Sequence, residues 1–293
     1  LTAQAMRQVM PPGLYVVATP IGNLADLTVR AATILARADR IYCEDTRTTR
    51  HLLQAVGLSR RLSTYHDHNG EAVRPGIVEA IAAGATVALV SDAGTPVISD
   101  PGNKLVRDVA AAGHPVFAIP GASALTAAAS VAGLPSDTLL FLGFLPPKTA
   151  ARRARLQAFA GIAATLVLYE APQRVAATLS DAAEVLGDRA AVAARELTKA
   201  FEETRRDSLT ALADWARADK PRGEFVVLIA PPDASGVEVD DAALAEALGE
   251  VMADLPLGAA AKRVSQQFGV ARSHVYDLGL RLKAGTDDTD PAS

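Results

Sequence analysis

The chain has 293 residues, 49% hydrophobic and 21% charged, a balance that excludes a disordered tail or a mini-protein and leaves enough chain for two cores. Aromatic residues make up only 4%, so the cores must be built from small aliphatic side chains packed between layers, which favours alternating strands and helices. A formal charge of −4 excludes a protein that coats nucleic acid by bulk attraction, so contact with a polyanion would have to come from local basic tracts.

The single cysteine, Cys43, forms neither an internal disulfide nor a thiolate zinc site, and a reducing, cytoplasmic setting is expected. Residues 1–13 lack the charged start and apolar centre of a signal peptide and are expected to be a flexible N-terminus. The longest nearly apolar stretch, 122–134, is interrupted by Ser and Gly and falls short of the roughly 20 residues that cross a bilayer, so no membrane association is expected.

Taken in order, Val- and Ile-rich runs predict strands at 14–18, 40–43, 86–90 and 115–119. Apolar residues at helical spacing predict helices at 27–38, 71–83 and 104–112 between them. Together these are βα units around a largely parallel sheet, a first α/β domain over 14–133. A turn-rich linker at 132–137 opens a second βα series over 134–233, with strands at 139–144, 165–168, 190–194 and 225–229 and helices at 152–160, 174–186 and 208–218. Residues 233–254 hold seven acids and no base, and 257–283 turns basic and helical. Within it, 259–276 has the spacing of a helix-turn-helix, so 234–285 reads as a helical extension and 286–293 as a disordered tail.

There is no GxxxxGK[ST] loop, no GxGxxG after the first strand and no GxSxG elbow, which lowers the case for kinases, ordinary dehydrogenases and α/β-hydrolases. Strand-end turns remain, and ligands of open α/β sheets sit there. They are ATPIGNL at 18–24, SDAGTPVISDPG at 91–102, PGASA at 120–124 and YEAPQR at 169–174. Two prolines and two glycines make the second a rigid platform. Ser123 is placed to cap the following helix, and Glu170 with Arg174 reads equally as cleft chemistry or a surface pair. His66-Asp67-His68 lacks an evident third ligand and reads as a polar loop, so no metal is expected.

With EDTR at 44–47, GFLPPK at 143–148 and RELTKAFEE at 195–203 between and after these turns, the chain resembles the rRNA-modifying branch of the tetrapyrrole methylase family over 14–229. The resemblance implies a homodimeric methyltransferase of two α/β domains, with S-adenosylmethionine folded into the cleft between them. The acceptor it implies is the ribose 2′-oxygen of cytidine 1402 in 16S rRNA of the 30S subunit. The cofactor contacts it implies are Pro20, Asp92, Gly94, Thr95, Ile98, Ser123 and Ala124, closed over by Tyr169, Glu170, Leu197 and Phe225.

A ribose hydroxyl is a weak acid, so a nearby base is expected, and Glu170, then Asp45, Asp92 and Lys199, are the candidates. The family commonly has His where this chain has Thr48 and Gln173, and those two imidazoles are absent here. Residues 138–169 contain Lys148, Arg152, Arg153 and Arg155 and no acid, and are expected to form a phosphate track, with Arg47, Arg50 and Arg174 at the same entrance. A basic helix pair carrying Lys262, Arg263, Arg272, His274, Arg281 and Lys283 offers a further grip on RNA or a partner, with no DNA binding expected. Two other readings stand beside this one: a tetrapyrrole methyltransferase of the same fold, and a non-catalytic, ligand-binding nucleic-acid regulator.

Overall fold

The computed structural model describes residues 9–232, 241–270 and 272–286. Most of the expected flexible N-terminus and disordered tail, and the start of the acidic segment, lie outside the described residues. The chain divides into two compact units, Leu1–Pro231 and Pro232–Ser293.

The larger unit holds two five-stranded sheets. The first is parallel throughout, in the order β3-β2-β4-β1-β5, with β1 Gly13–Val17, β2 Arg40–Cys43, β3 Leu62–Thr64, β4 Thr86–Val90 and β5 Val116–Ile119. Its central strand β4 is buried along its length, as its unbroken run of Val, Ala and Leu requires of a sheet covered on both faces. The crossovers are α1 Val29–Arg37, α2 Thr46–Ala55, α3 Gly70–Ala82 and α4 Asn103–Ala111. Thr28 caps α1 by accepting from the Ala31 N–H at 3.0 Å. Because the strands are parallel, their carboxyl ends all open on one edge.

The second sheet runs β6-β7-β10-β8-β9, with β6 Leu139–Phe144, β7 Thr165–Glu170, β8 Ala190–Arg195, β9 Glu203–Ser208 and β10 Phe225–Ile229. Only β6 and β7 are parallel; β10 runs antiparallel to β7 and β8, and β9 to β8. The expected second βα series is therefore a mixed sheet. The strand that reverses the chain direction ahead of β10, ETRRDS in β9, has no hydrophobic residue to mark it, because it is an edge strand guarded by charge.

Helices α6 Thr149–Gln157, α7 Val175–Leu186 and α8 Leu209–Asp219 cover one face of this sheet around Leu156, Leu166, Leu179, Leu212 and Val227. The other face is covered by α5 Ala124–Ala132, whose Ala128 and Ala132 pack against Val167, Val192, Ala194 and Val226. That helix falls in the sequence of the first half and packs with the core of the second. Its all-small face allows the close approach.

In the smaller unit, α9 Asp241–Met252, α10 Leu257–Phe268 and α11 Arg272–Thr286 enclose Leu244, Leu248, Ala260, Ala261, Val264 and Val275. Gly269, at φ 68°, ends α10 in the left-handed conformation. The predicted helix pair is joined by a third helix from the acidic segment. No helix among the described residues is long and apolar enough to cross a membrane.

Candidate active site

Three loops at the carboxyl edge of the first sheet are stitched together by the backbone. After β1, the Thr19 N–H donates to Gly94 O at 2.8 Å, and the Gly94 N–H donates back to Thr19 O at 3.1 Å. The crossing requires glycine: φ at Gly94 is +79°, and a Cβ there would sit 3.3 Å from Ile21 Cγ2. Thr95 Oγ1 donates to Ala122 O at 3.2 Å, joining the β4 loop to the β5 loop.

Farther along, Val97 and Ser99 hold positive φ angles of 77° and 61°, an unfavourable conformation that for a β-branched residue is an outlier. Between them Ile98 stands 42% exposed, an apolar side chain held out at the edge rather than packed into a core.

The second sheet meets this edge through its register. Phe225 at the start of β10 pairs with Glu170 at the end of β7 and with Arg195 at the end of β8, so antiparallel pairing brings three distant segments side by side. Beyond β8 the chain turns through Glu196 and Thr198, both at positive φ, and Lys199 Nζ bridges the carboxylates of Glu196 at 2.9 Å and Glu224 at 3.1 Å. Burial disfavours the Lys199 charge, and these two carboxylates more than offset it. Tyr169 accepts the Leu125 N–H at 3.2 Å, tying β7 to α5. Burial pushes its phenol up.

Between these walls is a cavity of about 470 Å³. Asp92, Gly94, Thr95, Ile98, Ser123, Ala124, Tyr169, Glu170, Leu197 and Phe225 all line it, as does Lys199. Of the residues expected at the cofactor, Pro20 stands apart. It is buried outside the cavity lining, and its neighbour Ile21 takes the wall position. Sequence reading passes over Asp100, Phe144, Glu196 and Glu224, which line the cavity as well. Asp100 stands inside the turn at 91–102, and the signal that would have found it is a second carboxylate in a loop whose prolines and glycines already mark it as rigid.

The expected bases differ sharply in environment. Glu170 is buried and engaged on both oxygens: Thr178 Oγ1 donates to it at 2.6 Å, the Ala171 N–H at 2.9 Å, and Arg174 Nε lies 3.2 Å away. The first-ranked candidate base thus lines the cavity with its carboxylate already partnered. A carboxylate holding two donors and a cation is a fixed piece of the wall. Asp45 caps α2 through the Arg47 N–H and is held by the Arg47 guanidinium, which draws its carboxyl down to about 2, too weak to accept a proton from an alcohol. Lys199 is committed to its two glutamates. In contrast, burial, with Glu44 and Asp92 nearby, pushes Asp100 up to about 6, and burial raises Asp92 and Glu44 as well.

Burial divides the residues of the expected phosphate track. Arg152 is 4% exposed and donates through Nε to Asp181 at 2.6 Å, so it braces α6 against α7 and is closed to a phosphate. Arg153 shares the same Asp181 at 2.8 Å and reaches Glu184. Arg174 Nη2 donates to Leu145 O at 2.6 Å, anchoring the turn after β6. Lys148, Arg155 and Arg50 are exposed, with Arg155 stacked 4.6 Å over Phe159. Arg47 is exposed too, although tied to Asp45.

Cys43 is buried with its thiol pushed up by burial, a core residue. His66 Nδ1 accepts the Asn69 N–H at 3.2 Å as part of a turn. Among the described residues no three His, Cys, Asp or Glu side chains converge as metal ligands.

Residues 13–213 match the Tetrapyrrole (Corrin/Porphyrin) Methylases, and residues 238–283 match the RsmI C-terminal HTH domain. The chain thus belongs to the tetrapyrrole methylase family and is a methyltransferase. More particularly, it is 45% identical to a ribosomal RNA small subunit methyltransferase I from Mesorhizobium japonicum, over 96% of both chains. It is 47% identical to the protein of that name from Erythrobacter litoralis, over 94% of this chain and 96% of the other. Solved structures that share the fold include cobalt precorrin-4 methyltransferase, CbiF, with a TM-score of 0.57 at 17% identity over 78% of this chain and 97% of the other. A conserved hypothetical protein from Aeropyrum pernix K1 gives a TM-score of 0.60 at 18% identity over 96% of this chain and all of the other.

Proposed function

We propose that this chain transfers a methyl group from S-adenosylmethionine to the ribose 2′-oxygen of a cytidine in 16S rRNA, cytidine 1402, within the 30S subunit, acting as a cytoplasmic homodimer. The observation that carries the reading is the cavity built from loops of both sheets. Its size suits a small organic ligand, and its wall is apolar at Ile21, Ile98, Leu197, Phe225 and Val226, with a few converging polar groups. The donor set fits the proposed cofactor. Small residues at Ala93, Gly94 and Ala124 leave room for the backbone to approach a ligand, Ser123 and Thr95 offer hydroxyls to its polar edges, and the apolar side chains keep water from a sulfonium.

Support for the cofactor also comes from a fold relative, the uroporphyrin-III C-methyl transferase from Thermus thermophilus, solved in complex with S-adenyl homocysteine. Support for rRNA comes from the names of relatives that match nearly the whole chain, including the C-terminal helices.

When bound, S-adenosylmethionine supplies an electrophilic methyl group. The protein's task is then alignment: holding the reactants collinear supplies much of the barrier reduction in a displacement of this kind. The stitched loops after β1, β4 and β5 form the rigid floor, and the Glu196–Lys199–Glu224 bridge holds the opposite wall against it. Exposed Lys148, Arg155 and Arg50 offer cations to the RNA backbone.

The test is incubation with labelled S-adenosylmethionine and 30S subunits from cells lacking this enzyme, with naked 16S rRNA, duplex DNA and a tetrapyrrole as parallel acceptors. Label on the ribose of one cytidine of the 30S particle is expected. Label on the tetrapyrrole alone would overturn the reading.

A further inference from the structure

The geometry points to Asp100 as the catalytic residue that takes the proton from the acceptor hydroxyl, an assignment that rests on the methyl-transfer reading above. Asp100 lines the cavity at the end of the rigid β4 loop, directly after Ser99. Ser99 reaches across to the second half: a Cβ built on Gly143 of β6 would lie 3.0 Å from its Oγ. Asp100 lines the same cavity as Phe144 of β6 and Tyr169 of β7. It therefore stands where the two halves face each other, the position an acceptor must reach to meet a methyl donor held on the loops.

Its surroundings suit a base better than those of the other cavity carboxylates. The charged groups that act most on Asp100 are the carboxylates of Glu44, just after β2, and of Asp92 at the start of its own loop, with the Ser91 hydroxyl beside it. The cavity's cation, Lys199, is held by Glu196 and Glu224. Glu170, by contrast, holds the Thr178 hydroxyl, the Ala171 N–H and the Arg174 guanidinium, and Asp92 accepts the Asp45 N–H at 3.1 Å. Partial burial beside like charges brings the Asp100 carboxyl to about 6, so at neutral pH it is ionised yet as basic as a carboxylate in a protein usefully becomes.

In the step, the acceptor O–H bond breaks and its proton passes to an Asp100 carboxylate oxygen while the oxygen lone pair forms the new O–CH₃ bond. The donor's S–C bond breaks with its electron pair returning to sulfur. The products are a methyl ether, a neutral thioether and a protonated Asp100, which loses its proton to water.

The experiment compares wild type with Asp100→Asn in single-turnover methyl transfer to the 30S acceptor between pH 5 and 8, with S-adenosylhomocysteine affinity measured by calorimetry on the same preparations. General-base assistance is worth roughly 100- to 10,000-fold. The wild-type rate is expected to rise through about pH 6 and level off. The variant is expected to lose at least 100-fold at pH 7.5 and the plateau with it, while S-adenosylhomocysteine affinity stays within threefold. A variant within threefold of wild type with the same pH profile would overturn the assignment. So would a loss of rate matched by loss of S-adenosylhomocysteine binding, which would make Asp100 part of the cofactor's seat. Failure of the wild-type enzyme to label 30S would count against the acceptor reading itself, a result separable from either variant outcome.

Discussion

The two sheets of the larger unit solve the same problem in opposite ways. In the parallel sheet every strand delivers its carboxyl end to one edge, and the loops there are fixed by backbone hydrogen bonds and by glycines or strained residues at Gly94, Val97, Ser99 and Gly102. Its cavity carboxylates, Asp92 and Asp100, are both shifted upward by burial, although Asp45 nearby is held by Arg47. In the mixed sheet the same edge is made by cross-strand register, and its charges are matched: Glu170 with Thr178 and Arg174, Arg152 and Arg153 with Asp181, Lys199 with Glu196 and Glu224. The difference teaches that the parallel sheet leaves two cavity carboxylates without a cation partner among the described residues, while the mixed sheet pairs its charges to hold shape.

The largest test of that division is Asp181→Ala in the mixed-sheet half. It strands Arg152, which is nearly fully buried, without its partner, and removing one member of a buried pair costs about 3–5 kcal/mol. Urea unfolding should show a loss of that order, and Arg152→Met together with Asp181→Leu should recover most of it. If Asp181→Ala instead weakened RNA binding with stability intact, the tract would be a surface after all.

Next comes Gly102→Ala in the parallel-sheet half. At φ +133°, with an added Cβ only 2.9 Å from Leu89 Cδ2 and 3.0 Å from Val97 Cγ2, alanine forces the β4 loop to move. The backbone strain alone is about 1–3 kcal/mol. The loop carries the cavity floor, so calorimetry should show S-adenosylhomocysteine affinity falling by at least tenfold. An equivalent Gly187→Ala after α7, where nothing lies within 4 Å, should leave ligand affinity unchanged.

How far the sequence reveals this arrangement follows from the same contrast. Strands 40–43, 86–90, 139–144 and 225–229 coincide with β2, β4, β6 and β10, because each is written as a mostly apolar run, fully buried in β4 and β10 and partly exposed at the sheet edge in β6. Helix α2 is invisible in the sequence because TRTTRHLLQA buries only Thr49, Leu52 and Leu53, too narrow a stripe to stand out from a loop. The cavity's floor is legible through Pro and Gly spacing, since backbone geometry is written in residue type. The fates of Arg152 and Glu170 are not, because a charged residue looks the same in sequence whether it meets a partner from a distant helix or meets solvent. Asp181 lies 29 positions from Arg152.

Among the basic residues the comparison sharpens to a smaller effect. Replacing exposed Lys148 and Arg155 together with Ala should leave the unfolding midpoint nearly unchanged and weaken 30S binding. The slope of log affinity against log salt should shrink by roughly 1.4, about 0.7 for each phosphate no longer neutralised. A salt dependence equal to wild type would remove this tract from the RNA-binding surface.

The smallest expected effect reads the contrast through pH. For Asp100 the ordinary value is 3.8 and the folded value about 6, so the native state holds this proton more tightly than the unfolded chain does. Stability contributed by the neutral carboxyl is complete below about pH 4 and is lost as pH rises through about 6. Asp45 runs the other way. Held at about 2 by Arg47, its carboxylate supports the fold above pH 3.8, and that support is lost only as the solution approaches pH 2. The melting temperature of Asp100→Asn minus that of wild type should therefore climb between pH 4.5 and 7 and then level off, whatever constant offset the amide brings. A flat difference would mean that Asp100 is as well satisfied as Glu170, and that the parallel-sheet edge holds no uncompensated carboxylate for catalysis to use.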